Sequence, residues 1–287
     1  VPGDECHMNF NFPLMPRIYL ALAHADRTPI VEIMARTPPI PDTCQWATFL
    51  RCHDELTLEM VTPEERRFMW DFYAPEPRMR LNQGIRRRLA PLLGNDRGRI
   101  ELANSLLFTL PGAPVIYYGD EIGMGDNIWL ADRDGVRTPM QWSAAANAGF
   151  STAAPSALTD PVIDDPTFGY RRVNVAAQRD DPDSLLNRMR EMIRVRKTQA
   201  AFGRGEVHFL VPANRAILAY LLTYGDETVL VFNNLSPDPQ VAQLDLAAQA
   251  GAQPIDLFTG AQLAVITPAP YQITLEGYGY RWLRFQA

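Results

Sequence analysis

The sequence predicts an α/β arrangement over residues 1–203 followed by an all-β module over residues 204–287. Three observations carry this reading. Short apolar strands alternate with helical periods through the first 120 residues, more than 60 residues rich in Gly, Pro, Asp and Asn follow, and after Gly203 the pattern changes to short strands. At 287 residues the chain has the length of about two domains.

Buried-type strands are expected at Met8–Phe12, Trp46–Leu50 and Val115–Tyr118. After the second, Thr62 reads as an N-cap, Pro63 sits at the first helical position where its missing N–H does no harm, and Glu65 at N3 completes a capping box. A helix from about Arg99 to Thr109 places Ile100, Ala103 and Leu107 on one side and ends at Pro111-Gly112. Another begins after Pro182, with Asp183 or Ser184 as cap and Leu185, Met189, Met192 and Ile193 along one face; Arg194, Arg196 and Lys197 complement its C-terminal dipole. The long segment before it has the length of a functional loop. From Val207 the strands include a hairpin, Ala216–Tyr224 with Thr228–Asn233, turning at Gly225-Asp226-Glu227. Tyr271–Leu275 and Tyr280–Phe285 read as a closing pair.

Composition narrows the partners. With 47% apolar and 21% charged residues the chain is of ordinary globular type, and a net charge of −6 gives no reason to hold nucleic acid or an anionic membrane. Thr109, Pro111, Gly112 and Pro114 break the most apolar stretch, so no membrane span is expected. Cys6, Cys44 and Cys52 form no C-x-x-C pattern, which argues against a disulfide framework or a cysteine-built metal site and for a reducing, cytoplasmic setting. No basic, then apolar, leader opens the sequence, and it starts without Met, as expected of a chain beginning inside a longer gene product.

Three segments carry candidate chemistry. In Trp46-Ala-Thr-Phe-Leu-Arg-Cys-His-Asp-Glu55 a strand runs into Arg51, His53, Asp54 and Glu55, charges that are either solvated at a strand end or turned toward a site. In Gly112-Ala-Pro-Val-Ile-Tyr-Tyr-Gly-Asp-Glu-Ile-Gly-Met124, Asp120 and Glu121 follow an apolar run that is itself core. In Asp126-Asn-Ile-Trp-Leu-Ala-Asp-Arg-Asp-Gly-Val-Arg-Thr-Pro-Met-Gln-Trp142, the planar fork of Arg137 suits paired carboxylates or sugar hydroxyls, or else locks the loop through Asp132 or Asp134. Trp129 or Trp142 offers an apolar wall.

These segments resemble the strand-seven motif, the strand-eight signature and the following loop of the α-amylase-type glycoside hydrolase family. With His53-Asp-Glu-Leu-Thr-Leu-Glu-Met60, Gly84-Ile-Arg-Arg-Arg-Leu-Ala-Pro-Leu-Leu93 and Val173-Asn-Val-Ala-Ala-Gln178, the resemblance covers nearly the whole chain, the β module included. It implies the C-terminal part of a (β/α)8 barrel, about strands six to eight, then a β-sandwich. Strand ends in such a barrel face the active site. It further implies Asp54 as the catalytic residue of this chain and His53, Arg137 and Glu121 as substrate-binding residues, with no metal among them. The expected reaction is retaining glucosyl transfer interconverting maltose and trehalose, with glucose as the minor hydrolytic product. The rival readings are a hydrolytic α-glucosidase or amylase and a non-catalytic carbohydrate-binding fragment.

The retaining mechanism needs a nucleophile and an acid/base carboxyl, which the resemblance assigns to strands four and five, upstream. Asp4 and Glu5 match neither motif. An upstream barrel segment is therefore an expected partner, along with further copies of the protein in a homo-oligomer. No cofactor is expected for the chemistry, and any structural calcium belongs to the upstream part. One departure stands out: Cys52 occupies the place of the family's Asn, and a thiol cannot reproduce an amide's donor and acceptor capacity.

Overall fold

The computed structural model describes residues 6–286, so Asp4 and Glu5 lie outside the described residues. In chain order the first part comprises β1 (Met8–Phe10), α1 (Leu14–His24), α2 (Thr28–Arg36), β2 (Gln45–Phe49), α3 (Pro63–Tyr73), the short pair β3 (Arg80–Leu81) and β4 (Gly84–Ile85), α4 (Leu89–Leu92), α5 (Arg97–Thr109), β5 (Ala113–Val115), α6 (Val175–Arg179), α7 (Leu185–Arg196) and α8 (Ala201–Arg204). The rest is β6 (Glu206–Leu210), β7 (Ile217–Tyr224), β8 (Glu227–Asn234), β9 (Gln240–Leu244), β10 (Gln253–Asp256), β11 (Tyr271–Leu275) and β12 (Tyr280–Gln286).

One sheet has the order β1-β2-β5, and β1 runs parallel to β2 with Met8 opposite Gln45 and Phe10 opposite Ala47. The two strands expected to flank the helical insert, β2 and β5, are thus neighbours. Gly112 permits this: its φ is +133°, and a Cβ there would come 2.8 Å from the Trp46 carbonyl oxygen and 2.5 Å from Thr48 Cγ2. Two strands are shorter than the apolar runs suggest. β1 stops at Phe10 because Asn11 turns its Oδ1 to accept the Leu14 N–H at the start of α1. β5 stops at Val115, not at Tyr118, because Tyr117 and Tyr118 leave the sheet for partners described below. Helix α1, which periodicity did not single out between Pro13 and Pro16, buries Leu14, Met15, Ile18, Tyr19 and Leu22. Such side chains contribute about 1.5–3 kcal/mol each when fully buried.

The expected capping box is present at α3. Thr62 Oγ1 accepts the Glu65 N–H at 3.2 Å, and Glu65 Oε2 accepts the Thr62 N–H at 2.8 Å.

The β part is two facing sheets, one of order β10-β12-β8-β7-β6 and one of β11-β9. Ile217, Leu230 and Phe232 of the larger sheet pack against Ala242, Leu244 and Leu275 of the smaller. The hairpin turns on Gly225 and Asp226 alone, Glu227 already pairing with Tyr224 as the first residue of β8. β11 and β12 do not pair with each other; β11 joins β9, and β12 lies between β10 and β8. Asn234 accounts for this, since its Nδ2 donates to the carbonyls of Asp238 and Glu276, both at 2.8 Å, and holds the β11–β12 connection at the edge between sheets.

Two compact units emerge. One unites the residues up to Thr48, Leu102–Pro114 and everything from Glu191; the other unites Phe49–Glu101 with Val115–Arg190. In the first, Trp282 Nε1 donates to Ser105 Oγ (2.9 Å), Ser105 donates to Asn233 Oδ1 (3.1 Å), and the Arg27 guanidinium donates to the carbonyls of Pro212 (2.8 Å) and Asn214 (2.6 Å). The second holds the candidate site. Among the described residues no helix is long and apolar enough to cross a membrane.

Removing the α3 cap tests the local account. Thr62→Ala should lower the unfolding free energy by about 1 kcal/mol, read as a lower denaturation midpoint at unchanged slope.

Candidate active site

The chain leaves β2 through two buried residues, Leu50 and Arg51. Arg51 turns back so that its Nη2 donates to the His53 carbonyl at 3.2 Å. Beyond, Leu56 and Ile85 exchange N–H···O bonds of 2.8 and 3.0 Å. Residues 52–55 are therefore a short arc tied at both ends, and Asp54 at its crest is only 8% exposed.

A carboxylate this buried needs partners. Arg137 supplies Nε at 2.6 Å to Asp54 Oδ2, and its Nη2 donates to the same oxygen. Arg133 Nε stands 3.4 Å from Oδ1, on the other side of the carboxylate. Arg133 also reaches Glu55 Oε2 at 3.5 Å, and Asn82 Nδ2 donates to that oxygen at 3.1 Å. The bond to Asp54 raises the pKa of Arg137 above its ordinary value.

Both arginines sit on a loop, and three consecutive residues on β4's trailing side shape it. Arg86 donates to the carbonyls of Ile128 (3.0 Å), Leu130 (2.8 Å) and Asp132. The Asp132 backbone has a φ of 38°, in the left-handed region, and the Arg86 bond secures its carbonyl there. Arg87 Nε lies 2.9 Å from both oxygens of Asp126, whose Oδ2 also accepts the Arg88 N–H at 2.7 Å. Arg88 is fully buried, donates to the Tyr118 carbonyl at 2.5 Å, and stacks 4.9 Å from the Tyr117 ring centroid and 4.4 Å from that of Tyr118. Tyr117 and Tyr118 in turn donate their hydroxyls to the carbonyls of Val136 (3.0 Å) and Thr138 (2.8 Å), on either side of Arg137.

Burial also tunes neighbouring groups. It pushes the Cys52 thiol up to about 11, so at neutral pH the side chain is a protonated thiol beside His53 Nδ1 (3.3 Å) and no nucleophile. Burial raises Tyr117 to about 12. Asp120, buried on the turn after β5, is raised to about 7 by desolvation, which outweighs the opposing fields of Arg88 and Arg51. Arg88 Nη1 approaches its Oδ1 only to 4.0 Å.

Residues 81–205 match the family described as alpha amylase, catalytic domain, and residues 207–282 match the maltogenic amylase C-terminal domain. The chain is 54% identical over 99% of its length to the trehalose synthase of Pimelobacter sp. (strain R48), and 56% identical over 98% to the trehalose synthase/amylase of Mycobacterium tuberculosis. Residues 81–205 thus carry part of an alpha-amylase catalytic domain. It spans about half the length of the curated relatives it matches, 50% and 47% of these two. Among solved structures, the alpha-amylase from H. orenii superposes with a TM-score of 0.68 at 20% identity, covering 98% of this chain and 49% of that one. At that identity the likeness speaks for the fold, that of alpha-amylase-family barrel enzymes.

Of the residues singled out above, Asp54 and Arg137 meet directly. Arg137 does not lock onto Asp132 or Asp134; Asp132 pairs instead with Arg133, 2.9 Å away. His53 is exposed and adjoins Asp54 along the arc. Glu121 lies on the short turn Asp120–Ile122, and no hydrogen bond or ion pair joins it to Asp54, His53 or Arg137 among the described residues. Trp129 and Trp142 are both exposed, and Trp129 is covered on one face by the Arg78 guanidinium at 4.5 Å. Sequence reading missed Arg133 and the three roles within Arg86-Arg87-Arg88. The signal for the latter was a run of three arginines in a stretch with no acidic residue between Glu76 and Asp96.

Asp120 gives a pH signature. Its folded pKa lies above the unfolded value of 3.8, so the native state holds the extra proton and this group's contribution falls as pH rises from about 4 to about 7. Asp120→Asn should therefore gain stability relative to the parent across that window, measured by denaturant unfolding at its two ends.

Proposed function

We propose that the protein to which this chain contributes interconverts maltose and trehalose by moving one glucosyl unit within a closed pocket, with minor hydrolysis to glucose. The observation that carries this reading is the Asp54 carboxylate held after β2 between Arg133 and Arg137. The kinship to trehalose synthases over nearly the whole chain supports it. In this reading residues 1–203 complete the C-terminal part of the barrel and residues 204–287 form its β-sandwich companion.

The nucleophile and acid/base carboxyls then come from the portion of the relatives that this chain does not span. One attacks the anomeric carbon to give a glucosyl ester, while the other protonates the leaving oxygen. Asp54 accepts hydrogen bonds from hydroxyls of the reacting glucose, bonds that strengthen as positive charge develops at the ring. His53, exposed beside it, donates to the same sugar. Arg137 stays on Asp54 Oδ2, orients the carboxylate and helps close the pocket against water, whose entry diverts the ester to glucose. Glu121 contacts the sugar from the turn after β5. Cys52, protonated at neutral pH, takes no part in proton transfer.

The full-length protein provides the test. Maltose should be converted chiefly to trehalose, and Asp54→Asn should lower kcat/KM by about 100-fold or more, about 2.7 kcal/mol, with the thermal midpoint nearly unchanged. Sustained conversion of maltose chiefly to glucose would replace this reading by a hydrolytic one. Normal turnover in the folded variant would remove Asp54 from the chemistry.

A further inference from the structure

A hollow opens beside Arg137. Tyr118, Arg137, Thr138, Phe150, Leu158 and Asp160 line a cavity of about 330 Å³, at the small end of the ligand-pocket range of about 300–1,000 Å³.

Its walls combine three chemistries. Phe150 and Tyr118 are 52% and 38% exposed and offer aromatic surface. Arg137 engages Asp54 through Nε and Nη2, and its Nη1 bonds to nothing among the described residues. Asp160 is half-buried; its carboxyl is raised by burial and by Asp134 and opposed by Arg137, so the two side chains of opposite charge feel one another across the cavity. Thr138 is fully buried, and its hydroxyl has no hydrogen-bond partner among the described residues, which favours a polar occupant.

The presentation is rigid. The Phe150 N–H donates to the Asn147 carbonyl (2.9 Å), and Asn147 Nδ2 donates to the carbonyls of Ser151 (3.1 Å) and Ala153 (2.7 Å). Trp142 N–H donates to the Ala148 carbonyl at 2.9 Å, tying this turn to the segment that carries Arg137.

An apolar ligand would strip water from Arg137 and Asp160 without replacing its bonds, and an anion would meet the Asp160 carboxylate. A neutral ring with one C–H face and several hydroxyls suits all three chemistries. We propose that Phe150 and Asp160 position the glucose that accepts the glucosyl unit, and so decide whether that unit goes to sugar or to water. This rests on the function proposed above. In the step concerned, the bond from the anomeric carbon to the enzyme carboxylate breaks, a bond to an acceptor hydroxyl oxygen forms, and that hydroxyl's proton passes to the acid/base carboxylate. Phe150 stacks on the acceptor ring, and Asp160 and Arg137 hold its hydroxyls.

The test uses the full-length protein with 4-nitrophenyl α-glucoside as donor and isotope-labelled glucose as acceptor. The readout is labelled disaccharide formed per nitrophenol released. Phe150→Ala and Asp160→Ala should each lower this ratio roughly tenfold or more, and Phe150→Tyr, which keeps the ring, should restore it. A ratio unmoved in both alanine variants overturns the proposal, as does a parent that releases nitrophenol without forming labelled disaccharide. A parent inert toward both maltose and the nitrophenyl glucoside overturns the functional reading itself, and the proposal with it.

Discussion

Residues 126–137 contain little regular structure, and their shape depends on the guanidinium groups of Arg86, Arg87 and Arg88. Each arginine takes a different partner: a row of carbonyls at Ile128, Leu130 and Asp132, the carboxylate of Asp126, and the tyrosine pair that follows β5. Hydrogen bonds to charged groups contribute about 1.5–3 kcal/mol each, so the cluster outweighs the loop's poor intrinsic preferences. A lysine at Arg86 could not span three carbonyls, because its donors radiate from one point. With the loop held, Arg133 and Arg137 arrive on opposite sides of Asp54 from the two ends of the short 3-10 turn Asp134–Val136.

The same cluster creates uneven electrostatics within one compact unit. Asp54 is shared by two guanidinium groups at its surface edge, whereas Asp120, deeper, faces Arg88 only at 4.0 Å. Desolvation therefore dominates at Asp120 and raises its carboxyl. Among the described residues Arg88 Nε and Nη2 have no hydrogen-bond partner, and the guanidinium leans on the faces of Tyr117 and Tyr118 instead. This arrangement explains why an apolar run that reads as strand through Tyr118 abandons the sheet at Val115: the tyrosines hold Arg88 and bracket Arg137.

In the other compact unit, polar side chains set topology that apolar burial leaves open. Asn234 clamps the turn between β11 and β12 so that consecutive strands enter different sheets. Ser105 joins Asn233 and Trp282, anchoring the larger sheet on the C-terminal half of α5. The core of Ile217, Phe232, Leu244 and Leu275 is held by contacts without direction; hydrogen bonds add direction, since a buried polar group left unpaired is penalised.

The sequence by itself determined what rests on contacts a few residues apart. The α3 capping box, the β7–β8 hairpin, the α5 and α7 helices and the change to β structure after Gly203 all follow from local spacing. Asp54 and Arg137 could also be singled out, because their segments carry recognisable motifs. Only the tertiary structure decided that they face each other, 83 positions apart, and that Arg133 completes the pair. Strand ends at Phe10 and Val115, and the separate sheets of β11 and β12, were likewise hidden. In each case a distant polar partner captures the backbone or a side chain, and an interaction of that kind leaves no periodicity in the chain because its energy depends on geometry that exists only once both segments have folded.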